Sequence, residues 1–236
     1  MIGHNCNIDS RAVISSSAKI GNHCVIGPNA VLFDHVELGD NCIVEGNVTL
    51  GHPLSGYYSD AQYKNPQTVL GNNCVIRTNS VIYCGVKMSD KVRTGTNTIV
   101  REYCEISAES IIGTLVQMEN NTKVGERVSI ETGAHITARA VIENDVFIGP
   151  HVVTTNDNSM LRPIDVKNRM VASLKGPYIK NGCRIGANVT FLPGLTIGRN
   201  VVVAAGSVVT KDIPDNVIVL GAPAKVLRET PAEFRI

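Results

Sequence analysis

The sequence contains no tryptophan, and aromatic residues make up only 4% of its 236 residues. Because 43% of the residues are hydrophobic, we expect an interior filled by aliphatic side chains. The net charge of +1 provides no excess that would favour nucleic acid or an anionic membrane. No apolar run approaches the roughly 18 residues of a membrane span. The opening MIGHNCNIDS lacks a basic segment followed by an apolar one, so we expect no secretory signal and a cytoplasmic protein.

A large apolar residue recurs at every sixth position through most of the chain. The recurrence covers residues 2–50, 70–148 and 179–209, and of its 29 positions only Thr94 is not a large apolar residue. We call these positions the markers. Four residues after a marker the chain nearly always has Ala, Cys, Val, Ser or Thr. A helix repeats at 3.6 residues and a simple strand at 2, so neither explains the spacing.

The spacing predicts an all-β parallel solenoid with three short strands in each turn. The marker points inward near a corner, and the small residue four positions later points inward where space is limited. Gly and Asn between them are expected to supply the left-handed backbone angles of a sharp corner. Three hexads close one triangle, and successive turns stack about 4.8 Å apart through parallel hydrogen bonds. We expect about ten such triangular coils.

Six of the seven cysteines occupy the small inward position and are predicted to be buried packing residues: Cys6, Cys24, Cys42, Cys74, Cys104 and Cys183. The first three are evenly spaced by three hexads and should stack as a ladder. Cys84 lies off this position, at a corner. The pattern favours a reducing compartment rather than disulfides or a metal site.

Two polar segments interrupt the repeat, at residues 51–69 and 154–178. Counting corners places both at the same edge of the prism, and long loops on a rigid scaffold are commonly functional. The repeat ends after Val209. We therefore predict a β-helix over residues 1–213 with two protruding loops, followed by a C-terminal cap over residues 214–236 that contains a short strand and a helical turn.

The repeat, together with RIGANVTFLPGLTIGRNVVVAAGSVVTKDIPDNVIVLGAPAKVLRE at 184–229, resembles the left-handed β-helix hexapeptide-repeat acyltransferases. The handedness is implied by this resemblance alone, because ordinary parallel crossovers are right-handed. Within that superfamily, AVIENDVFIGPHVVTTND at 140–157 is similar to the nucleotide-sugar N-acetyltransferases. The stretches GHPLSG and NCVIRTNSVIYCG look like members that act in surface-polysaccharide biosynthesis.

The resemblance implies a CoA-dependent transferase that moves an acyl group from acetyl-CoA, or another acyl-CoA, to the amino group of a UDP- or dTDP-linked sugar. It also implies a homotrimer with active sites in the clefts between subunits, and flat prism faces can pack around a threefold axis. One alternative is O-acetylation of a sugar or an amino acid. Another is a non-catalytic or carbonic anhydrase-like zinc solenoid. No histidine pair has the spacing of zinc ligands on stacked turns, so no metal is expected.

Histidine is the usual base in acyl transfer, and His135 is the catalytic candidate. It directly precedes the marker Ile136, so its side chain is expected to face outward beside the edge that carries the loops. A solvated or interface histidine is the alternative. His52 lies two residues after the marker Leu50, an offset that catalytic histidines of related transferases share, in a GHP context that resembles the galactoside-type O-acetyltransferases. We place it about five turns, roughly 24 Å, from His135.

The chain departs from its relatives at two positions near His135. Ala138 stands where several relatives carry their catalytic histidine, and Gly133 stands where nucleotide-sugar relatives often have Asn. Direct attack by the amine, without a side-chain base, is therefore a second possible mechanism, in which positioning supplies most of the rate.

Polar residues stacked at the loop-bearing edge are candidate contacts for the sugar and its pyrophosphate: Glu102, Asn120, Asn121, Arg139, Asn156 and Asp157. His151 is a further candidate beside His135, and Arg162 in the second loop could pair with a phosphate. A structural role in the turns is the alternative for the corner asparagines.

The resemblance places CoA at the last coils. Its pantetheine amides would bond to the backbone of Ala187, Ala205 and Gly206. Its phosphates would be neutralised by Lys211, Lys225 and Arg228, although an ordinary basic surface explains those charges equally well.

Overall fold

The computed structural model describes residues 1–160 and 174–236. These residues form three sheets, numbered by the order in which the chain first enters them. The first sheet has 12 strands: Asn7–Ile8, Val25–Ile26, Ile43–Val44, Val75–Ile76, Arg93–Thr94, Ile111–Ile112, Ser129–Ile130, Phe147–Ile148, Arg184–Ile185, Val202–Val203, Val217–Leu220 and Lys225–Glu229. The second has 10: Val13–Ile14, Val31–Leu32, Thr49–His52, Val81–Tyr83, Ile99–Val100, Gln117–Met118, His135–Ile136, Val153–Thr154, Thr190–Phe191 and Val208–Val209. The third has nine: Lys19–Ile20, Val36–Leu38, Thr68–Leu70, Lys87–Met88, Glu105–Ile106, Lys123–Val124, Val141–Ile142, Tyr178–Ile179 and Thr196–Ile197. Short 3-10 helices cover Ser55–Tyr58 and Ala232–Phe234.

Consecutive turns pair in parallel along all three sheets, and their register shifts once, between Ile82 and Tyr83 beside the first loop. In the second sheet, for example, Gln117 lies opposite His135. The result is a parallel β-solenoid of about 11 turns, consistent with a left-handed β-helix. The predicted all-β solenoid is therefore confirmed, with a number of turns close to the ten expected.

The marker side chains form a continuous core along the axis of the solenoid. Ile76, Ile112 and Ile130 are completely buried. Thr94, the polar marker, is also buried, and its Oγ1 accepts a hydrogen bond from the backbone N–H of Arg77 at 3.0 Å. Burial of one large aliphatic side chain stabilises a fold by about 1.5–3 kcal/mol. The repeating markers therefore hold each turn to its neighbours.

The small inward position is used for hydrogen bonding as well as for close packing. The thiol of Cys24, for example, donates to the carbonyl oxygen of Gly39 on the next turn at 3.2 Å. The ladder predicted for three cysteines has a fourth member, because the first loop returns the chain with Cys74 beside Cys42. Five of the six cysteines in this position are buried, and Cys6, on the first turn, is half-buried.

Asparagine supplies the left-handed corner conformation, as expected, with φ of 56° at Asn29 and 57° at Asn47. The glycine that directly follows many markers has a different role from the one predicted. Gly21 is outside the left-handed region, but a Cβ on it would lie 2.5 Å from the carbonyl carbon of Gly39. Such glycines allow stacked turns to approach closely. Other glycines do supply left-handed corners as expected, with φ of 70° at Gly133 and 71° at Gly206.

The outward surfaces of the three sheets differ in polarity. The third sheet carries a ladder of opposite charges, in which Lys123 Nζ lies 3.3 Å from Glu105 and Lys19 pairs with Glu37. The first and second sheets expose more apolar side chains at the equivalent positions, although Arg93 and Arg184 are exposed there too. The exposed apolar residues are Val25, Ile43, Ile111 and Phe147 in the first sheet and Val13 and Val153 in the second. The third sheet is suited to water, and the other two are suited to contact with another surface.

Both interrupting segments leave the solenoid between a second-sheet strand and a third-sheet strand, as predicted. We call this corner the loop edge. The first loop lies against the solenoid, because the Asn65 Nδ2 group donates to the backbone oxygen of Gly51 at 2.8 Å. Residues 161–173 of the second loop, including Arg162, lie outside the described residues.

The chain ends in a small antiparallel unit. Val217–Leu220 extends the first sheet in parallel and then pairs with the antiparallel strand Lys225–Glu229. The buried Thr230 hydroxyl donates to the Asn200 backbone oxygen at 2.9 Å and anchors this unit to the last turns. No helix in the described part of the chain is long and apolar enough to cross a membrane.

Candidate active site

A groove of about 240 Å³ opens on the outward side of the second sheet, beside the loop edge. Its walls are side chains from four consecutive turns: Tyr83, Ile99, Arg101, Gln117, Met118, Glu119 and His135. We call it the His135 groove. A larger open depression, of about 470 Å³, lies between the third and first sheets, but neither histidine nor cysteine lines it.

His135 lies in this groove beside a fixed carboxylate. Its Nε2 is 3.7 Å from Oε1 of Glu119, and the two side chains are 36% and 40% exposed. The other carboxylate oxygen accepts hydrogen bonds from the Ala138 N–H at 2.8 Å and the Thr137 hydroxyl at 3.1 Å. These bonds hold the carboxylate in place. A carboxylate held beside an imidazole orients the ring and stabilises the cation that forms when the ring takes a proton.

Arg101 and Glu102 form a bidentate ion pair at the loop edge. The Nε and Nη2 groups of Arg101 donate to the two oxygens of Glu102 at 2.7 and 2.9 Å. The guanidinium also lies 5.0 Å from the centre of the Tyr83 ring. These contacts fix the position of the guanidinium. Glu102 was expected to contact substrate, but its side chain is only 10% exposed, whereas Arg101 is 44% exposed and lines the groove.

His52 lies farther along the same edge, packed between two aromatic rings. Its ring centroid is 6.1 Å from that of Phe33 and 4.7 Å from that of Tyr83. Its Nδ1 is buried and has no hydrogen-bond partner in the described part of the chain. Burial, and then the positive charge of Arg101, lower the pKa of His52 below its usual 6.5. Within the described residues no hydrogen-bond partner orients the His52 ring through Nδ1, whereas the Glu119 carboxylate lies beside His135.

Four steps of strand pairing separate His52 from His135. His52 pairs with Tyr83, two further steps lead to Gln117, and Gln117 pairs with His135. At about 4.8 Å per step, the separation along the axis is about 19 Å. The expected five turns and 24 Å were wrong, because the first loop replaces less of a turn than the count assumed. The shorter distance is still too long for both histidines to touch one reacting atom.

The other candidate substrate contacts at the loop edge have backbone roles of their own. Asn121 and Arg139 occupy left-handed corners, with φ of 58° and 62°, and the Arg139 N–H donates to the Asn120 oxygen at 3.1 Å. The Asn156 carbonyl accepts from the Lys175 N–H at 3.0 Å. Asp157 accepts bonds from the N–H and the hydroxyl of Ser159 at 2.7 and 2.6 Å, and so closes a turn where the second loop begins.

His151 lies at a different edge from the groove, between the first and second sheets. It has a φ of 56° and stacks beside Gly133, where an added Cβ would lie 2.5 Å from the His151 Nδ1. Among the described residues, those that line the His135 groove do not include it. The expected proximity of the His151 and His135 side chains in one cleft is therefore absent from the described part of a single subunit.

The candidate CoA contacts lie at three different places on the surface of the last turns. Ala187, Ala205 and Gly206 lie on the edge that carries His151, where the Gly206 N–H donates to the Ala187 oxygen at 2.8 Å. Among the residues that the structure describes, no atom lies within 4 Å of the place where a Cβ on Gly206 would stand, so a ligand can approach this backbone. The three basic candidates are all exposed, at the loop edge and on the last strand: Lys211, Lys225 and Arg228.

Sequence reasoning did not single out Glu119, Arg101 or Tyr83. Each directly follows a marker of the second sheet, and each is three hexads from the next. The repeat alone therefore predicts that the three side chains stack above one another on consecutive turns. In the part of the chain that the structure covers, no three His, Cys, Asp or Glu side chains gather closely enough to hold a metal ion.

The repeat matches a known sequence family, described as bacterial transferase hexapeptide (six repeats), over residues 1–34, 121–156 and 176–211. These three segments carry the repeat of that family, and they form turns of the parallel β-solenoid described above.

Similar curated proteins include a galactoside O-acetyltransferase of Lactococcus lactis, which is 40% identical over 92 residues, covering 37% of this chain and 44% of that protein. A putative colanic acid biosynthesis acetyltransferase of Escherichia coli is 38% identical over 81 residues, covering 34% of this chain and 50% of that protein. The chain thus spans about half the length of the curated relatives it matches.

Solved structures extend the likeness of fold over nearly the whole chain. An Arabidopsis UDP-N-acetylglucosamine acyltransferase aligns with a TM-score of 0.58 and 18% identity, over 94% of this chain and 74% of that one. The equivalent enzyme of Bacteroides fragilis aligns with a TM-score of 0.55 and 19% identity, over 93% and 73%. At these identities the similarity establishes the solenoid fold.

Proposed function

We propose that this protein is an acyl-CoA-dependent acyltransferase that acts on a sugar, by default with acetyl-CoA as donor. The observation that carries the proposal is the His135–Glu119 pair in an open groove on a hexapeptide-repeat solenoid. The curated relatives support the class, since those matched are acetyltransferases.

His135 is the base in this proposal, and Glu119 is its positioning residue. The acceptor nitrogen or oxygen attacks the acyl carbonyl carbon, His135 takes the proton that the acceptor loses, and the thiolate of CoA leaves. Glu119 stabilises the imidazolium that forms on His135. His52 is less suited to this role, because a protonated Nδ1 would be buried without an acceptor.

The donor supplies an acyl group activated as a thioester. In this proposal its pantetheine arm lies against Ala205 and Gly206, where the corner backbone is open, and Lys211, Lys225 and Arg228 face its phosphates. Ala205 and Gly206 lie on the edge between the first and second sheets, whereas the His135 groove lies beside the loop edge of the same subunit. A complete site therefore needs a neighbouring subunit that brings one edge to the other.

Such a neighbour follows from the polarity of the faces. We propose a homotrimer in which apolar positions of the first and second sheets take part in the contacts between subunits and the charged third sheet faces water. Sedimentation equilibrium should give three times 25.3 kDa, about 76 kDa. Ile111→Lys, in the first sheet, should lower that mass, whereas Lys87→Glu in the third sheet should not. A monomeric wild type contradicts the shared site.

The acceptor class comes from two observations that favour different atoms. The stretch at 140–157 resembles the nucleotide-sugar N-acetyltransferases, which favours the amine of a UDP- or dTDP-linked amino sugar as the acceptor. The further residues that would contact this sugar nucleotide are Asn120, Asn121, Arg139, His151, Asn156 and Asp157. The relationship to galactoside O-acetyltransferases favours a hydroxyl group as the second candidate.

Release of CoA thiol from acetyl-CoA tests both candidates. The acceptors are UDP-glucosamine, a dTDP-linked 4-amino sugar, methyl β-D-galactopyranoside and L-serine, and mass spectrometry of the products identifies the atom acylated. Transfer to a nucleotide-linked amine supports the first candidate, and transfer to the galactoside supports the second. If none of the four acceptors is acylated, or only serine is, the proposed sugar acyltransferase is contradicted.

A further inference from the structure

Half of the tyrosine and phenylalanine residues gather at one place on the loop edge. The chain has six tyrosines and four phenylalanines, and four of those tyrosines and one phenylalanine surround the first loop together with His52. Neighbouring ring centroids lie 4.7 to 6.1 Å apart. We call this cluster the aromatic patch: Phe33, His52, Tyr57, Tyr58, Tyr63 and Tyr83. In a protein with 4% aromatic residues, this concentration needs a reason other than core packing.

The inner half of the patch is held rigidly by hydrogen bonds. The Tyr63 hydroxyl donates to Asn65 Oδ1 and accepts from the Leu54 N–H, both at 3.1 Å. Asn65 is itself buried and bonded to the backbone of Gly51. The first loop is therefore tied to the solenoid, and the rings do not depend on a mobile segment for their positions.

The outer half of the patch is open to solvent. Tyr57 is 40% exposed and Tyr58 is 72% exposed, and their rings meet edge to face at 5.2 Å. Neither side chain fills the core of the solenoid, whose interior is aliphatic. Rigid, exposed tyrosine rings are the kind of surface that proteins use to bind ligands with one apolar face and polar edges.

Polar groups border the rings on the side nearest the His135 groove. Arg101 stacks on Tyr83 and is fixed by Glu102, and the groove continues from Arg101 to Glu119. One guanidinium beside two carboxylates gives no net positive charge, so this border does not favour a phosphate. It does offer planar donors and acceptors that can bond to hydroxyl groups at fixed positions.

We propose that the aromatic patch is a binding platform for a pyranose ring. The C–H face of the sugar stacks on the exposed ring of Tyr58, with Tyr57 beside it, and its hydroxyl groups face the polar border that contains the guanidinium of Arg101. A pyranose is the ligand class that combines an apolar face with a rim of hydroxyls and no charge. The platform rests on the proposed function only in that the bound sugar is a unit of the acyl acceptor, while the binding itself requires no acyl-CoA.

Saturation-transfer NMR without acyl-CoA tests the platform, with methyl β-D-galactopyranoside, methyl N-acetyl-β-D-glucosaminide and uridine as probes. Irradiation of aromatic protein protons should saturate the ring protons of at least one pyranoside more strongly than the uridine protons. Tyr58→Ala should weaken that binding about three- to tenfold, the worth of one aromatic stack. Tyr58 is so exposed that its replacement leaves the fold intact. Tyr178→Ala, an exposed tyrosine on the third sheet, is the matched control and should bind normally.

Three results overturn the platform: no saturation of either pyranoside, stronger saturation of uridine, or equal binding by Tyr58→Ala and wild type. A change in sedimentation mass in Tyr58→Ala would also overturn it, because the patch would then be a contact between subunits. Sugar binding without any acyl transfer supports the platform and contradicts the proposed function. If no pyranoside binds and Tyr58→Ala transfers the acyl group at the wild-type rate, the proposed function is supported and the platform is contradicted.

Discussion

Glu119 and His135 stand on consecutive turns of the second sheet, with Oε1 of the first 3.7 Å from Nε2 of the second. Only one carboxylate oxygen faces the imidazole, since the other is occupied by the backbone and hydroxyl donors of the next turn. The pair is therefore supported by the ladder itself and does not depend on either loop.

Glu119→Gln should slow acyl transfer while leaving the affinity for acyl-CoA unchanged. The amide keeps an oxygen for the Ala138 N–H but removes the negative charge beside His135. A half-exposed ion pair is worth at most about 1 kcal/mol, so kcat should fall about fivefold. Steady-state kinetics measure this, with Glu105→Gln on the third sheet as the control that keeps wild-type kcat. An unchanged kcat in Glu119→Gln removes Glu119 from the mechanism.

His52 should make the folded state less stable as pH falls. Its pKa is lower in the folded chain than the 6.5 of the unfolded chain, because of burial and then the charge of Arg101. The unfolded state therefore binds more protons between that lowered pKa and about 6.5, and stability decreases as pH drops through this window. His52→Phe removes the titrating imidazole. As pH is lowered from 7.5 to 5.5, the free energy of unfolding of His52→Phe, measured by urea titration, should therefore increase relative to that of wild type. Arg101→Gln should reduce the pH dependence in part. Parallel curves for His52→Phe and wild type contradict the buried, neutral histidine.

Adjacent residues on one strand should differ sharply in their effect on stability. Ile106 is a marker and only 2% exposed, whereas the neighbouring Glu105 side chain is 51% exposed on the charged face. Ile106→Ala should lower the free energy of unfolding by about 2–5 kcal/mol, through lost burial and a cavity. Glu105→Ala should change it by less than about 1 kcal/mol. Equal effects in urea denaturation contradict the inward orientation of the marker.

The cysteines should be almost unreactive until the chain unfolds. Burial raises the pKa of Cys24 to about 11 and those of Cys104 and Cys183 to about 12. Because the reagent must also reach the sulfur and the other six cysteines are buried, only the half-buried Cys6 should react quickly with Ellman's reagent at pH 8. All seven should react in guanidinium chloride. Rapid reaction of several thiols in the native protein would show that the ladder is open.

The fold could be predicted because its determinants are local and periodic. A marker such as Ile112 must point inward, and three hexads return the chain to the same face. The roles of the glycines were harder to predict, since the crowding at Gly21 comes from the next turn and not from its own dihedral angles.

The site could be predicted only in part, because side-chain directions and loop lengths are not periodic. The position of His135 beside the loop edge followed from its place before a marker. The approach of Glu119 to it depends on hydrogen bonds to Thr137 and Ala138 that no spacing encodes. The distance to His52 was overestimated because the first loop hides the true register, which the pairing with Tyr83 sets.

The most direct test is the rate of acyl transfer by His135→Ala, compared with His52→Phe, at saturating acetyl-CoA and the preferred sugar acceptor. Loss of the base should lower kcat of His135→Ala by about 10²- to 10⁴-fold, while His52→Phe stays within about tenfold of wild type. A His135→Ala enzyme within tenfold of wild type, or a greater loss in His52→Phe, contradicts the assignment of the chemistry to the His135 groove.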